Sequence, residues 1–217
     1  MGNYSPYILN YAIIFFMKKI DIIFFIIIFV VSWFVFDKMS LFSNIFTRWS
    51  FGSIPLLSFV FYPVFITLKR KEKFSSIGFT FKNWLMAIIW GIGISLVIVI
   101  LGKYSMQIKP LANFDSVGIG IIYWGFLSFS QEIFFRGYFQ KNLERIYGNF
   151  LGLIFASCFF ALWHITIRFS PEWMLPVSLL KVFLVGLLWG LSFQKTKSLI
   201  APCLSHFLVG VLLSSYF

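Results

Sequence analysis

Between Trp84 and Leu101 the chain runs eighteen residues without one ionisable side chain. On a helix rising 1.5 Å per residue that run is about 27 Å long, close to the ~30 Å hydrocarbon core of a bilayer. Similar runs recur along the sequence. They predict seven spans, at about Ile20–Phe36, Trp49–Leu68, Trp84–Leu101, Val117–Tyr138, Asn149–Ile167, Pro176–Phe193 and Leu199–Phe217. Composition agrees, since 60% of the 217 residues are hydrophobic and only 12% are charged, against roughly 25% charged in a soluble domain. The expected fold is all-α, a polytopic membrane helical bundle of about seven transmembrane helices. One transmembrane domain, residues 20–217, follows an N-terminal interfacial segment, residues 1–19. The apolar stretch Tyr7–Met17 is too short to cross and is expected to lie in the interface.

The net charge of +11 would suggest nucleic acid in a soluble protein. In a membrane protein it reads instead as the accumulation of Lys and Arg in cytoplasmic loops, so no nucleic-acid partner is expected. An inside N-terminus places Lys18, Lys19, Lys69, Arg70, Lys71, Lys73, Lys82, Lys141, Arg145, Lys195 and Lys197 on the inner side. The outer side then receives Lys38, Arg48, Lys103, Lys109 and Arg168. That asymmetry predicts a cytoplasmic N-terminus and, with seven crossings, an outside C-terminus. The first apolar run follows Lys18-Lys19 without a small-residue cleavage site, so it is expected to remain as a span. Cys158 and Cys203 lie in apolar segments without CxxC spacing and read as reduced packing residues. Lys181 and Arg168 read as snorkelling cations. No soluble domain or internal repeat is evident.

Against this apolar background a few polar residues stand out. Glu132 and Arg136 lie inside the run Gln131-Glu-Ile-Phe-Phe-Arg136-Gly137, and the chain's two histidines, His164 and His206, each sit in a later apolar stretch. Ionisable groups at membrane depth are costly and point to function. Glu132 and Arg136 are four apart and share a helix face, as do Phe160 and His164, and His206 and Gly210. Gly148, in Tyr147-Gly148-Asn149, is the expected turn between the fourth and fifth spans. Glu132 and His164 each lie sixteen residues from it, or about 24 Å up opposite arms. His206 reaches a similar depth. Trp163 and Phe160 read as packing residues.

One carboxylate and two imidazoles allow three chemistries. They could hold zinc through Glu132, His164 and His206 with a position left for water. They could activate water for hydrolysis without a metal. They could also serve a transporter as a proton relay or ion site.

These motifs resemble the CPBP (CAAX protease and bacteriocin-processing, Abi) family of intramembrane proteases. That family carries Glu-Glu-x-x-x-Arg, then Phe-x-x-x-His, then His-x-x-x-Asn, on successive membrane helices. Here the three read Gln131-Glu132-Ile-Phe-Phe-Arg136, Phe160-Ala-Leu-Trp-His164 and His206-Phe-Leu-Val-Gly210. The Ser75–Phe79 segment also fits, so the resemblance covers about residues 75–217. It implies an integral membrane endopeptidase of a bacterial or archaeal cell membrane, acting on membrane-proximal peptides or proteins among membrane lipids. Bacteriocin maturation or self-immunity is the implied role. In such a site Glu132 would be base or ligand, His164 would position the water and His206 would polarise the carbonyl. Arg136 would orient the carboxylate.

Two positions depart from the pattern. Gln131 stands where the family has its water-activating Glu, and a neutral amide accepts no proton at pH 7. Gly210 stands where the family has an oxyanion-holding Asn. A family member disabled for catalysis, acting as a membrane binding or immunity protein, is therefore the alternative expectation.

Overall fold

The structure, a computed structural model, describes residues 23–35, 38, 45–105, 114–165 and 175–213. The expected interfacial helix at Tyr7–Met17, the cations Lys18, Lys19, Lys109 and Arg168, and the chain ends lie outside these residues. Among the described residues there are seven α-helices and no strand: α1 (Ile23–Val35), α2 (Ile45–Lys69), α3 (Trp84–Ser105), α4 (Phe114–Glu132), α5 (Lys141–Trp163), α6 (Leu175–Thr196) and α7 (Ile200–Leu213). A 3-10 turn, Phe74–Ile77, lies between α2 and α3, and a π-helical segment, Ile133–Gln140, joins α4 to α5.

The all-helical expectation holds; the count of seven spans is not confirmed. Among the described residues, four helical runs are long and apolar enough to cross a membrane: Gly52–Lys69, Trp84–Gly102, Ile121–Trp163 and Pro176–Thr196. Helices α1 and α7 are apolar but shorter. The third run, of 43 residues, is not one rod. The rings of Phe139 and Phe159 lie 5.2 Å apart, whereas twenty residues of straight helix would separate them by about 30 Å. The chain doubles back at Gly148, whose φ of 83° and ψ of 166° are non-helical. That backbone region is essentially reserved for glycine. The arms are held together where Gln194 Nε2 donates to Glu144 Oε1 at 2.7 Å and to the Asn149 carbonyl at 2.8 Å.

Each helix satisfies its own backbone, as a membrane requires, and therefore needs only a packing face. In α3 that face is Ala87, Ile94 and Ile98, all buried, while Leu85, Ile89, Leu96 and Ile100 remain exposed. α3 lies along α7. The many phenylalanines divide in the same way. Phe61, Phe65 and Phe150 face outward, whereas Phe25, Phe59, Phe134, Phe135 and Phe139 form the core. Phe25 stacks on Phe139 and Phe134, and Phe59 stacks on Phe134. Every residue of the π-helical segment is buried. This aromatic packing surrounds the one stretch that also carries Arg136 and Gln140.

The Ser75–Phe79 segment is pinned beneath that stretch. Its Gly78 carbonyl accepts from Leu199 N–H at 3.0 Å, and Ser198 Oγ donates to the Thr80 carbonyl at 3.0 Å. Gly137 sits so close to it that a Cβ would lie 2.5 Å from the Ile77 carbonyl oxygen. Gly137→Ala must therefore push the segment away, at an expected cost of about 1–3 kcal/mol. Thermal unfolding in detergent measures it, and an unchanged midpoint would show that the segment is not docked there. Cys158 and Cys203 are free and half-buried, and Cys203 packs beside the Ile133–Phe193–Leu199 cluster.

Candidate active site

The hairpin at Gly148 places Glu132 and His164 at matching heights on its two arms. Pairs across it keep the same register: Phe135 meets Phe160 at 5.2 Å, and a Cβ on Gly152 would touch the backbone of Glu144. α7 then supplies His206. Its Nδ1–H donates to Glu132 Oε1 at 2.8 Å, closing a polar link between residues 74 apart in sequence. The other carboxylate oxygen, Oε2, lies 3.3 Å from Arg136 Nε, one turn along. Glu132 and Arg136 are both fully buried, and His206 nearly so.

His164 joins through Phe160. It caps α5: its own N–H bonds back to the Ala161 carbonyl at 3.1 Å, and its Nδ1–H donates to the Phe160 carbonyl at 2.7 Å. Side-chain capping of this kind satisfies a carbonyl that the helix end leaves over. The ring of Phe160 is the hub of the cluster. His164 lies 4.4 Å from it, His206 lies 6.1 Å away, and the Arg136 guanidinium sits 4.6 Å above its face. Phe160 is thus more than the packing residue the sequence suggests; its π-face helps accommodate a buried cation. Trp163 does behave as packing, against Phe59 and Phe135, with its Nε1–H donated to Ser32 Oγ at 3.0 Å.

Two tryptophans were missed by sequence reasoning, having no signal beyond their composition. Trp189 on α6 stacks on His206 at 4.0 Å and 22°, while its own Nε1–H donates to Ser205 Oγ at 2.9 Å. This locks the imidazole plane. Trp124 on α4 faces Gly210. A Cβ on Gly210 would lie 2.4 Å from the Trp124 ring, so the indole fills the space that a side chain at 210 would need.

Several buried polar atoms have no hydrogen-bond partner among the described residues: Gln131 Oε1, Glu132 Oε2, Ser128 Oγ, and all three nitrogens of Arg136. Arg136 and Glu132 are within ion-pair distance, but their geometry is not that of a hydrogen bond. Ser128, Glu132 and Arg136 recur every four residues, so these three line one face of the helix, with Gln131 beside it. Buried orphans of this number are unusual and ask for an explanation. Among the described residues no three His, Cys, Asp or Glu side chains are gathered closely enough to hold a metal ion. His206 is bonded to Glu132, while His164 adjoins them across the Phe160 ring.

Residues 113–212 match the family model described as type II CAAX prenyl endopeptidase Rce1-like, within the CPBP group. This stretch of the chain is Rce1-like. It spans α4 through most of α7 and so contains Gln131, Glu132, Arg136, His164, His206 and Gly210, while the Ser75–Phe79 segment lies before it. Neither the curated proteins nor the solved structures contain a match. With its apolar helices, the Rce1-like match marks an integral membrane protein. The family it points to is one of CAAX-type proteases.

Proposed function

We propose that the chain is an intramembrane endopeptidase-like protein that hydrolyses a membrane-proximal peptide, with a role in bacteriocin maturation or self-immunity in a bacterial or archaeal membrane. The carrying observation is the buried hydrogen bond from His206 to Glu132, with Arg136 beside the same carboxylate. In this reading Arg136, beside Oε2, orients the Glu132 carboxylate. Oε1 fixes His206, and Oε2 takes a proton from a water that His164 helps position. The resulting hydroxide attacks the carbonyl carbon, and collapse of the tetrahedral intermediate breaks the C–N bond as the proton on Glu132 Oε2 passes to the leaving amine. His206 steadies the developing oxyanion through Nε2–H, which requires a proton on each of its nitrogens. The leftover donors and acceptors of Gln131 and Arg136 suit a water or a peptide group entering this face.

A second reading, binding without cleavage, is favoured by two observations. Gln131 presents an amide where a stronger base would serve, and Trp124 fills the space at Gly210. Peptide cleavage in membranes separates the two. Glu132→Gln, which keeps the side-chain shape, is expected to lower cleavage by about 10²–10⁴. Gln131→Glu is expected to raise it. Cleavage that appears only with Gln131→Glu identifies a disabled protease. If no variant cleaves, yet the chain protects cells from a peptide toxin, the binding reading stands and the hydrolase reading falls.

A further inference from the structure

Trp189 does more at the site than fill space. It is 3% exposed and touches two adjacent residues of α7. Its ring stacks on the His206 imidazole at 4.0 Å and 22°, and its Nε1–H donates to Ser205 Oγ at 2.9 Å. The hydrogen bond pins the indole, and the pinned indole can then hold the imidazole. Phe160 meets both rings nearly at right angles, 5.7 Å from Trp189 and 6.1 Å from His206. The helix that carries Trp189 is itself closely seated. A Cβ on Gly190, the next residue, would run into Leu153 and Gln140, so α6 has little room to roll.

A histidine in this position needs such a clamp. The torsion that sets an imidazole plane is broad and roughly two-fold, so the covalent chain does not choose the plane. The bond from Nδ1–H to Glu132 Oε1 fixes one ring atom and still lets the ring tilt about that bond. A parallel indole removes the tilt and thereby sets the direction of Nε2. That direction carries more weight because residue 210 is glycine, so no side chain there shares an oxyanion with His206. We infer that Trp189 is a positioning residue, which holds His206 with Nδ1 on Glu132 and Nε2 turned to the substrate carbonyl. Its effect on rate rests on the hydrolytic reading of the site; the clamp on the ring does not.

The chain has two histidines, so NMR of the full chain in detergent, with ring-labelled histidine, follows each imidazole singly. Ring protons over an indole face are shifted to lower frequency. In Trp189→Leu the His206 signals are expected to move to higher frequency, and its Nδ1 proton to exchange faster with water. Cleavage of a membrane-anchored reporter peptide is the second readout, in the parent or, where that is inert, in Gln131→Glu. Misplacing a group by about 1 Å can cost on the order of 10²-fold, so Trp189→Leu should lower kcat by about that factor. KM should hardly change, because a contact made only in the transition state leaves ground-state binding alone. Trp189→Phe keeps a stacking ring and should recover most of the rate. Ser205→Ala deletes only the indole's acceptor; it should move both readouts the same way by less, and it carries the test should Trp189→Leu fail to fold. Trp84→Leu removes a tryptophan that is 54% exposed and should change neither readout. His206 signals that stay in place in Trp189→Leu, or in Ser205→Ala where that variant stands in, overturn the inference, as does a kcat equal to the parent's. A phenylalanine variant as slow as the leucine variant overturns stacking as the cause. If neither the parent nor Gln131→Glu cleaves, the hydrolytic reading falls and the ring signals alone decide the clamp.

Discussion

Gly210→Asn, introduced alone, is expected to destabilise the bundle by about 1–3 kcal/mol and to bring no gain in cleavage. The reason is steric. The first atom added at 210 would lie 2.4 Å from the Trp124 ring, and a packed indole between α4 and α7 can yield only by moving a helix. Combined with Trp124→Ala the same substitution should cost less than the two single changes added together, because one removes the obstacle the other meets. The freed amide at 210 then lies one turn beyond His206 on the same face of α7. There it can donate to an oxyanion, and a donor of this kind is typically worth about 10²–10³ in rate. The full gain is expected in the triple variant that also carries Gln131→Glu, which adds a second carboxylate beside Glu132. Thermal unfolding in detergent and peptide cleavage in membranes are the two readouts. If Gly210→Asn alone unfolds at the parent's midpoint, Trp124 is no obstacle. If the folded triple variant cleaves no faster than the parent, the donor at 210 and the carboxylate at 131 do not limit this site.

What the sequence reveals about this site is what helical geometry makes local. Glu132 and Arg136 meet because they are four apart, and His164 falls level with Glu132 because Gly148 halves the distance between them. The basic residues likewise crowd the end where α2, the Gly148 turn and the α6–α7 turn come together. Contacts between distant helices carry no such period. Trp124 against Gly210 joins α4 to α7, and Trp189 against His206 is fixed by how α6 is rolled. In a chain with eight tryptophans, neither is distinguishable until the helices are packed. Phe160 illustrates the same limit. Its spacing to His164 is legible, but its place beneath the Arg136 guanidinium depends on the tertiary arrangement of the hairpin. The span count is a different matter, and is not confirmed. Apolarity identifies α1 and α7, but their described lengths fall short of a crossing.

Glu132→Ala is expected to be more damaging to the fold than any surface change. It strips Arg136 of the carboxylate 3.3 Å away and His206 of its acceptor, with both basic side chains still held inside the bundle. Breaking a buried pair from one side typically costs about 3–5 kcal/mol, because the surviving charge has neither water nor counter-ion. Arg136 is already short of hydrogen bonds, so the Phe160 face is left as its principal compensation. Replacing both charges is a different matter. Glu132→Ala/Arg136→Met removes the stranded cation and fills most of its volume, so stability should largely return. Activity should not return, since the group that fixes His206 is gone. The pair of measurements therefore separates two roles that a single substitution confounds: unfolding midpoints report the ion pair, and cleavage reports the carboxylate. A double variant as unstable as Glu132→Ala would mean that the His206 hydrogen bond, rather than the Arg136 charge, carries the stability of this site.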